Sequence, residues 1–188
     1  MKTSVLKLLI LNSSLLILLP ACGKKPPAGE PVPVPPVNNF AMKNLASEFP
    51  GEIRTAKYAG QVQLVVFFRA DDPACRGSIA DWNALHQEFA DRGFTLVGAV
   101  ADDRKPDAIG AEIVALDPAW PVGLADAPVV QAFGGPPAIR AIPTFFLLDR
   151  DGHVARSYAG FVPLATLRAD IGNLLDGQPL APAAEPAP

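Results

Sequence analysis

The chain has 188 residues, 49% of them hydrophobic, with 16 basic residues against 19 acidic and a net charge of −3. An acidic balance without a basic run excludes a nucleic-acid footprint. The two cysteines and two histidines, with no phosphate loop, dinucleotide fingerprint or serine elbow, exclude several common enzyme chemistries.

The N-terminus reads as an export signal. MKTSVLKLLILNSSLLILLPAC, residues 1–22, places Lys2 and Lys7 before an apolar stretch that ends in small residues. Asn12, Ser13 and Ser14 interrupt the stretch, which argues against a permanent spanning helix. LPAC at 19–22 resembles the bacterial lipobox through Leu19, Ala21 and Cys22, with Pro20 a less usual occupant. The resemblance implies that Cys22 is acylated and becomes the first mature residue, so that lipid rather than charge attaches the chain to a membrane. An ordinary signal containing a cysteine is the alternative. Gly23 after the cysteine resembles a signal for sorting to the outer membrane of the cell envelope. Cleavage before Cys22 leaves 167 residues with a charge of −5.

GKKPPAGEPVPVPPV, residues 23–37, is too proline-rich for a helix or a central strand. It reads as an extended spacer with a reach on the order of 45 Å. The tail QPLAPAAEPAP, residues 178–188, has the same character and is expected to be disordered. Between them, residues 38–177 form one domain large enough for its own core.

Within that domain apolar runs alternate with helical patterns. QLVVFF at 63–68 predicts a buried strand. From Cys75, the positions Ile79, Trp82, Leu85 and Phe89 recur at three- and four-residue steps and predict an amphipathic helix. FTLVGAV at 94–100 predicts a second buried strand, DAIGAEIVAL at 107–116 a short helix and VVQAFGG at 129–135 another. PTFFLLD at 143–149 and VARSYAG are strands joined by a turn at RDGH, and PLATLRADIGNLL at 163–175 is a closing helix. This alternation predicts an α/β fold, a central mixed sheet with helices on both faces.

The segments NFAMKNLASEFPGEIRTAKYAGQVQLVVFF, CRGSIADWNALHQEF, LVGAVADD and AIPTFFLLDRDGHV together resemble the thioredoxin superfamily over about residues 39–176. They are most similar to the TlpA-like, membrane-tethered thiol–disulfide oxidoreductases and their relatives the peroxiredoxins. The resemblance implies a thioredoxin-like fold with an N-terminal hairpin. It also implies that Pro143 is cis and faces the loop before the first long helix. Ile142, Pro143 and Thr144 would then border a groove in which family members dock extended peptide substrates by strand addition.

The site departs from the family. Members carry Trp-Cys-x-x-Cys at the helix start, and here the aligned residues are Asp71, Asp72, Pro73, Ala74 and Cys75. The first cysteine is the nucleophile, its pKa lowered at the helix N-terminus, and the second resolves the mixed disulfide. Without the first, that cycle cannot run as usual. Ser78 stands where the family has a glutamate, and Ala80 where it has a proline.

Asp72 followed by Pro73 is also a good helix start, an N-cap and then a first-turn proline, so the position reads equally as chemistry converted to stability. The functional alternative keeps Cys75 as the working thiol, alone or with an external thiol. Peroxiredoxins resemble this arrangement, with threonine three residues before the single cysteine and proline seven before. Asp72 and Phe68 hold those positions here. A carboxylate disfavours a thiolate, and Arg69 or Arg76 could offset it.

The remaining candidates are fewer. His86 lies on the same helix and His153 at the hairpin turn, with no Cys-x-x-x-Cys partner to hold copper. Asp102 and Asp103 follow a strand at the end of the sheet where ligands often bind, although solvated loop carboxylates are the ordinary outcome. Trp82 and Phe89 read as core. No cofactor or metal is expected. The expected function is that of an envelope lipoprotein of the thiol–disulfide oxidoreductase and antioxidant class. A non-catalytic module that binds an envelope protein or peptide, and a single-cysteine peroxidase using Cys75, are the alternatives.

Overall fold

A computed structural model of the chain describes residues 36–37, 39–45 and 51–181. The expected signal, the lipobox cysteine Cys22 and the spacer as far as residue 35 lie outside the described residues. So does the tail from residue 182.

A hairpin of β1 (Ala41–Asn44) and β2 (Glu52–Arg54) precedes β3 (Val62–Phe68), α1 (Pro73–Phe89), β4 (Phe94–Val100) and α2 (Pro106–Leu116). Then follow β5 (Val122–Leu124), α3 (Ala127–Ala132), β6 (Thr144–Leu148), β7 (Val154–Ala159) and α4 (Leu164–Leu175). The seven strands form one sheet in the order β2-β1-β5-β4-β3-β6-β7. β3, β4 and β5 run parallel, and the other pairings are antiparallel. The mixed α/β sheet is therefore the one that the alternating pattern predicts.

β3 lies inside this sheet, between β4 and β6, which is why all seven of its residues are buried. Its side chains alternate between two cores, as a strand period of two requires. Leu64, Val66 and Phe68 pack with Ile79, Trp82 and Leu85 of α1, Ile109 and Ile113 of α2, and Leu167 and Ile171 of α4. Val65 and Phe67 point to the opposite face, toward Phe40, Met42, Phe133 and Phe146. There the Phe133 ring meets Phe40 and Phe67 edge-on, with centroids 5.2 and 5.1 Å away.

Two features differ from the pattern. The helix placed at 129–135 is α3, shifted toward the N-terminus. Asp126 caps it by accepting from the Val129 N–H at 3.1 Å, and Gly134 and Gly135, at φ 96° and 73°, follow its end. β5 has no periodic signal, because it is three residues long with glycine at its centre. A Cβ on Gly123 would lie 2.4 Å from the Met42 Cβ, so β1 can cross this closely only over glycine.

The segment after α4 folds back on the domain. Gln178 N–H donates to the Asn173 carbonyl at 2.7 Å, and Leu180 packs against the larger core. Arg156 Nη2 donates to the Ala181 carbonyl. Arg156 also pairs through Nη1 with Asp170 at 2.7 Å, and Asp170 accepts from the Tyr158 hydroxyl at 2.5 Å. Asp170 is buried, so this trio binds α4 to β7 where water cannot replace the bonds.

Candidate functional site

The sequence RADDPACRGS carries the chain from the buried end of β3 into α1. Asp72 is the N-cap, with extended backbone at φ −75° and ψ 124°. Its Oδ1 accepts from the Cys75 N–H at 2.8 Å, and its carbonyl accepts from the Arg76 N–H at 2.9 Å. Pro73 follows at the first helical position, where a missing N–H is not needed. Hydrogen bonds from the Cys75 backbone and thiol hold the Asp72 carboxyl below the usual carboxylate range. The expected cap is therefore formed, and its acceptor sits on the N–H of the cysteine itself.

Cys75 has no exposed surface and packs in the core beside Phe68, Ala70 and Ile79. Its thiol is pushed up to about 11, first by burial, with some relief from the Arg69 backbone and a further rise from the Asp72 carboxylate, which accepts a hydrogen bond from it. At neutral pH the thiolate is then roughly one molecule in ten thousand. Neither candidate arginine offsets this through its guanidinium. Arg69 Nε and Nη2 each bind Asp71 at 3.0 Å, and Arg76 Nη1 donates to the Ala70 carbonyl at 3.0 Å. Ser78, at the family's glutamate position, is buried and donates to the Ala74 carbonyl at 2.8 Å.

The Ile142–Pro143 bond is cis, as the resemblance implies. Thr144 opens β6 directly opposite Phe67 of β3, so Pro143 stands at the same end of the sheet as the Arg69–Asp72 loop. The Pro143 carbonyl accepts from the Gly160 N–H at 2.8 Å, and Thr144 Oγ1 donates to the Ala141 carbonyl at 2.5 Å. Ile142 is half-buried. After Gly160 comes Phe161, 75% exposed, one of two large apolar side chains that are exposed among the described residues.

An ion network, not foreseen from the sequence, closes the third side of this end. Asp102 follows β4 with its side chain fully buried, and Arg104 grips it at 2.7 Å while binding Glu112 of α2, also at 2.7 Å. Arg104 Nη2 is 3.9 Å from Asp71, and Arg69 Nη2 is 3.9 Å from Asp102. The carboxyls of Asp71, Asp102 and Glu112 all lie below their ordinary range, chiefly through hydrogen bonds from these two arginines. Asp102 is thus an anchor rather than a solvated loop carboxylate. The signal for it was Arg104, two residues on, but its second partner lies on a separate helix.

The histidines stand apart from this end. His86 is half-buried, accepts from the Leu96 N–H at 3.4 Å through Nδ1, and has a pKa lowered by burial. His153, Asp149 and Asp151 have potential ligand atoms within 4.8 Å of one another at the β6–β7 turn. Asp149 Oδ1 there accepts from the Asp151 and His153 N–H groups at 3.0 and 2.9 Å, the ordinary side-chain bonding of such a turn. Trp82 and Phe89 are buried, as expected.

A sequence model described as Redoxin matches residues 27–174. No curated protein matches the chain at a significant level. A thiol:disulfide interchange protein of the thioredoxin family from Chlorobium tepidum superposes with a TM-score of 0.65 at 25% identity, over 78% of this chain and 99% of that one. A secreted thiol-disulfide isomerase from Corynebacterium glutamicum gives 0.65 at 21% identity, over 73% and 84%. The exposed lipoprotein thioredoxin of Streptococcus pneumoniae gives 0.61 at 18% identity, over 72% and 99%. The last two likenesses concern the fold alone.

Proposed function

The chain belongs to the Redoxin family, and from that premise we propose that it keeps the docking edge of a thioredoxin-fold oxidoreductase while its dithiol cycle is silent. One observation carries the reading. The residue in the nucleophile's place is a carboxylate bonded to the Cys75 N–H at 2.8 Å, and the thiol that remains is buried and protonated. A carboxylate cannot open a disulfide, and a protonated thiol without access cannot resolve one. A single-cysteine peroxidase needs a reachable thiolate at the same atom, so that alternative is not favoured.

The parts that hold a partner do not need the missing cysteine. Ile142, Pro143 and Thr144 stand at the same end of the sheet as the opening loop, and Phe161 offers an exposed ring after Gly160. An extended segment of an envelope protein docks there by strand addition, with an apolar side chain on the ring. The domain is exported and held at a membrane through lipid on Cys22, probed by the intact mass of the purified protein. No helix among the described residues is long and apolar enough to cross a membrane.

Two measurements test the function. The wild-type protein should leave a model protein disulfide unreduced in the presence of a dithiol reductant, above the rate of the reductant alone. It should bind a reduced, carboxymethylated unfolded protein, which has no thiols, and Phe161→Asp should weaken that binding. Rapid wild-type disulfide reduction, or binding indifferent to Phe161, would refute the proposal.

A further inference from the structure

We propose that the Arg69–Asp71 segment is an ionic latch, which keeps Cys75 out of reach while closed and exposes it when its side of the network lets go. The inference takes the closed state to be the redox-silent one and adds how that silence is regulated.

The network has a fixed side and a movable side. On the fixed side, Asp102 is fully buried and Arg104 binds both it and Glu112 at 2.7 Å, joining the β4–α2 connection to α2 itself. On the movable side, Asp71 and Arg69 are 40% and 37% exposed at the side chain and bind each other within the loop. Only two longer contacts, both of 3.9 Å, cross from one side to the other: Arg104 to Asp71, and Arg69 to Asp102. Partly exposed ion pairs at this separation are weak and screened by salt. The buried Asp102 end is not screened in the same way.

The loop has few other ties. Its backbone is held by Asp72 N–H to the Arg69 carbonyl at 3.4 Å and by Arg76 Nη1 to the Ala70 carbonyl at 3.0 Å. Arg76 brings a third positive charge within reach of Glu112, and Asp103 adds a fourth negative charge near Arg69. Ala70, the middle residue of the segment, is itself buried and belongs to the same core cluster as Cys75. Lifting Arg69–Asp71 therefore withdraws Ala70 from the core around the thiol, while Asp72 keeps its bond to the Cys75 N–H and with it the start of α1.

The test is alkylation of Cys75 in the full chain by iodoacetamide, read on the Cys75 peptide by mass spectrometry so that Cys22 does not contribute. The wild-type rate should rise about two- to fivefold from low to high salt. Arg104→Gln should reach the accelerated rate at low salt and lose the salt dependence. This variant separates a latch from simple electrostatics, because removing a positive charge near a thiol would by itself slow alkylation. Asp71→Asn should likewise lose the salt dependence, and Asp71→Glu should restore it. Denaturant melts of each variant establish that the domain is folded at the assay temperature. Alkylation of Arg104→Gln at or below the wild-type rate, or of folded Asp71→Asn with the wild-type salt dependence, would overturn the latch. These readouts use neither disulfide reduction nor peptide binding, so the latch and the docking proposal fail separately.

Discussion

The Asp72 carboxylate and the Cys75 backbone N–H are bonded at 2.8 Å, so one residue both begins the helix and occupies the group that would steady a thiolate there. The same carboxylate accepts a hydrogen bond from the Cys75 thiol, which stays protonated. Structure and chemistry at this helix start are thus coupled through two atoms of one side chain, and substitutions can pull them apart.

Asp72→Ala removes the cap acceptor and should lower the melting temperature by about 2–6 °C. Asp72→Asn keeps an acceptor oxygen without the charge and should retain most of that stability. In both variants Cys75 should titrate lower than in the wild type, because a neighbouring negative charge is gone. Thermal melts and alkylation rates on the pair separate the cap from the charge. An Asp72→Ala protein as stable as wild type would mean that the bond is not holding the helix.

Asp72→Cys should restore part of a dithiol chemistry. The new thiol would stand at the helix N-terminus with a pKa below the ~8.5 of a free cysteine. It would be spaced from Cys75 so that the two can form a disulfide. Activity should be weak, because Asp71 adds negative charge and Ser78 is a hydroxyl tied to the Ala74 carbonyl. Reduction of a model disulfide by wild type, Asp72→Cys, and Asp72→Cys combined with Cys75→Ser measures it, with activity expected only in the single variant. A folded Asp72→Cys protein that forms no internal disulfide would show that position 72 is not the nucleophile's place.

The pH dependence of Cys75 follows from its pKa of about 11. Alkylation should keep rising about tenfold per pH unit beyond pH 9, where an ordinary cysteine has levelled off. The linked effect on stability has a definite sign. The folded state holds the thiol proton more tightly than the unfolded chain, so this contribution is complete below about pH 9 and is lost as the pH climbs toward 11. Cys75→Ser should therefore flatten the alkaline loss of stability measured by denaturant melts. A plateau in alkylation near pH 9 would show that the thiol is not shielded.

Asp170→Ala should destabilise the domain by about 3 kcal/mol, because it strands the Arg156 guanidinium and the Tyr158 hydroxyl between β7 and α4. Tyr158→Phe removes one bond of the trio and should cost about 1 kcal/mol. Urea unfolding of both variants checks the ratio. Equal losses would mean that the tyrosine bond, not the ion pair, joins these elements.

Residue patterns foretold the fold where burial dictates residue type. β3, β4 and β6 are predominantly apolar because both of their faces are covered, with Gln63, Thr95 and Thr144 the polar exceptions, and the Ile79–Trp82–Leu85–Phe89 stripe points into the core as its spacing requires. Asp72 was legible because an Asp-Pro pair at a helix start has a specific backbone role. β5 was not, since its central glycine answers to the approach of Met42, which is distant in sequence. The ion network was hidden for a similar reason: Asp71, the Asp102–Arg104 pair and Glu112 belong to three segments that only the folded sheet and helices bring together. Whether Cys75 was shielded depended on that assembly as much as on its place in the helix.

Leu180 lies against the core and the Ala181 carbonyl is held by Arg156, which sets where this chain can be cut or extended. A protein ending with α4 would expose an apolar patch and leave one nitrogen of Arg156 without its acceptor, although α4 itself looks like a natural stopping point. A tag or reporter joined after residue 181 keeps both contacts. Shortened versions made for crystallisation or labelling should carry at least that far, and a domain trimmed at residue 177 is a poor reference for the whole protein.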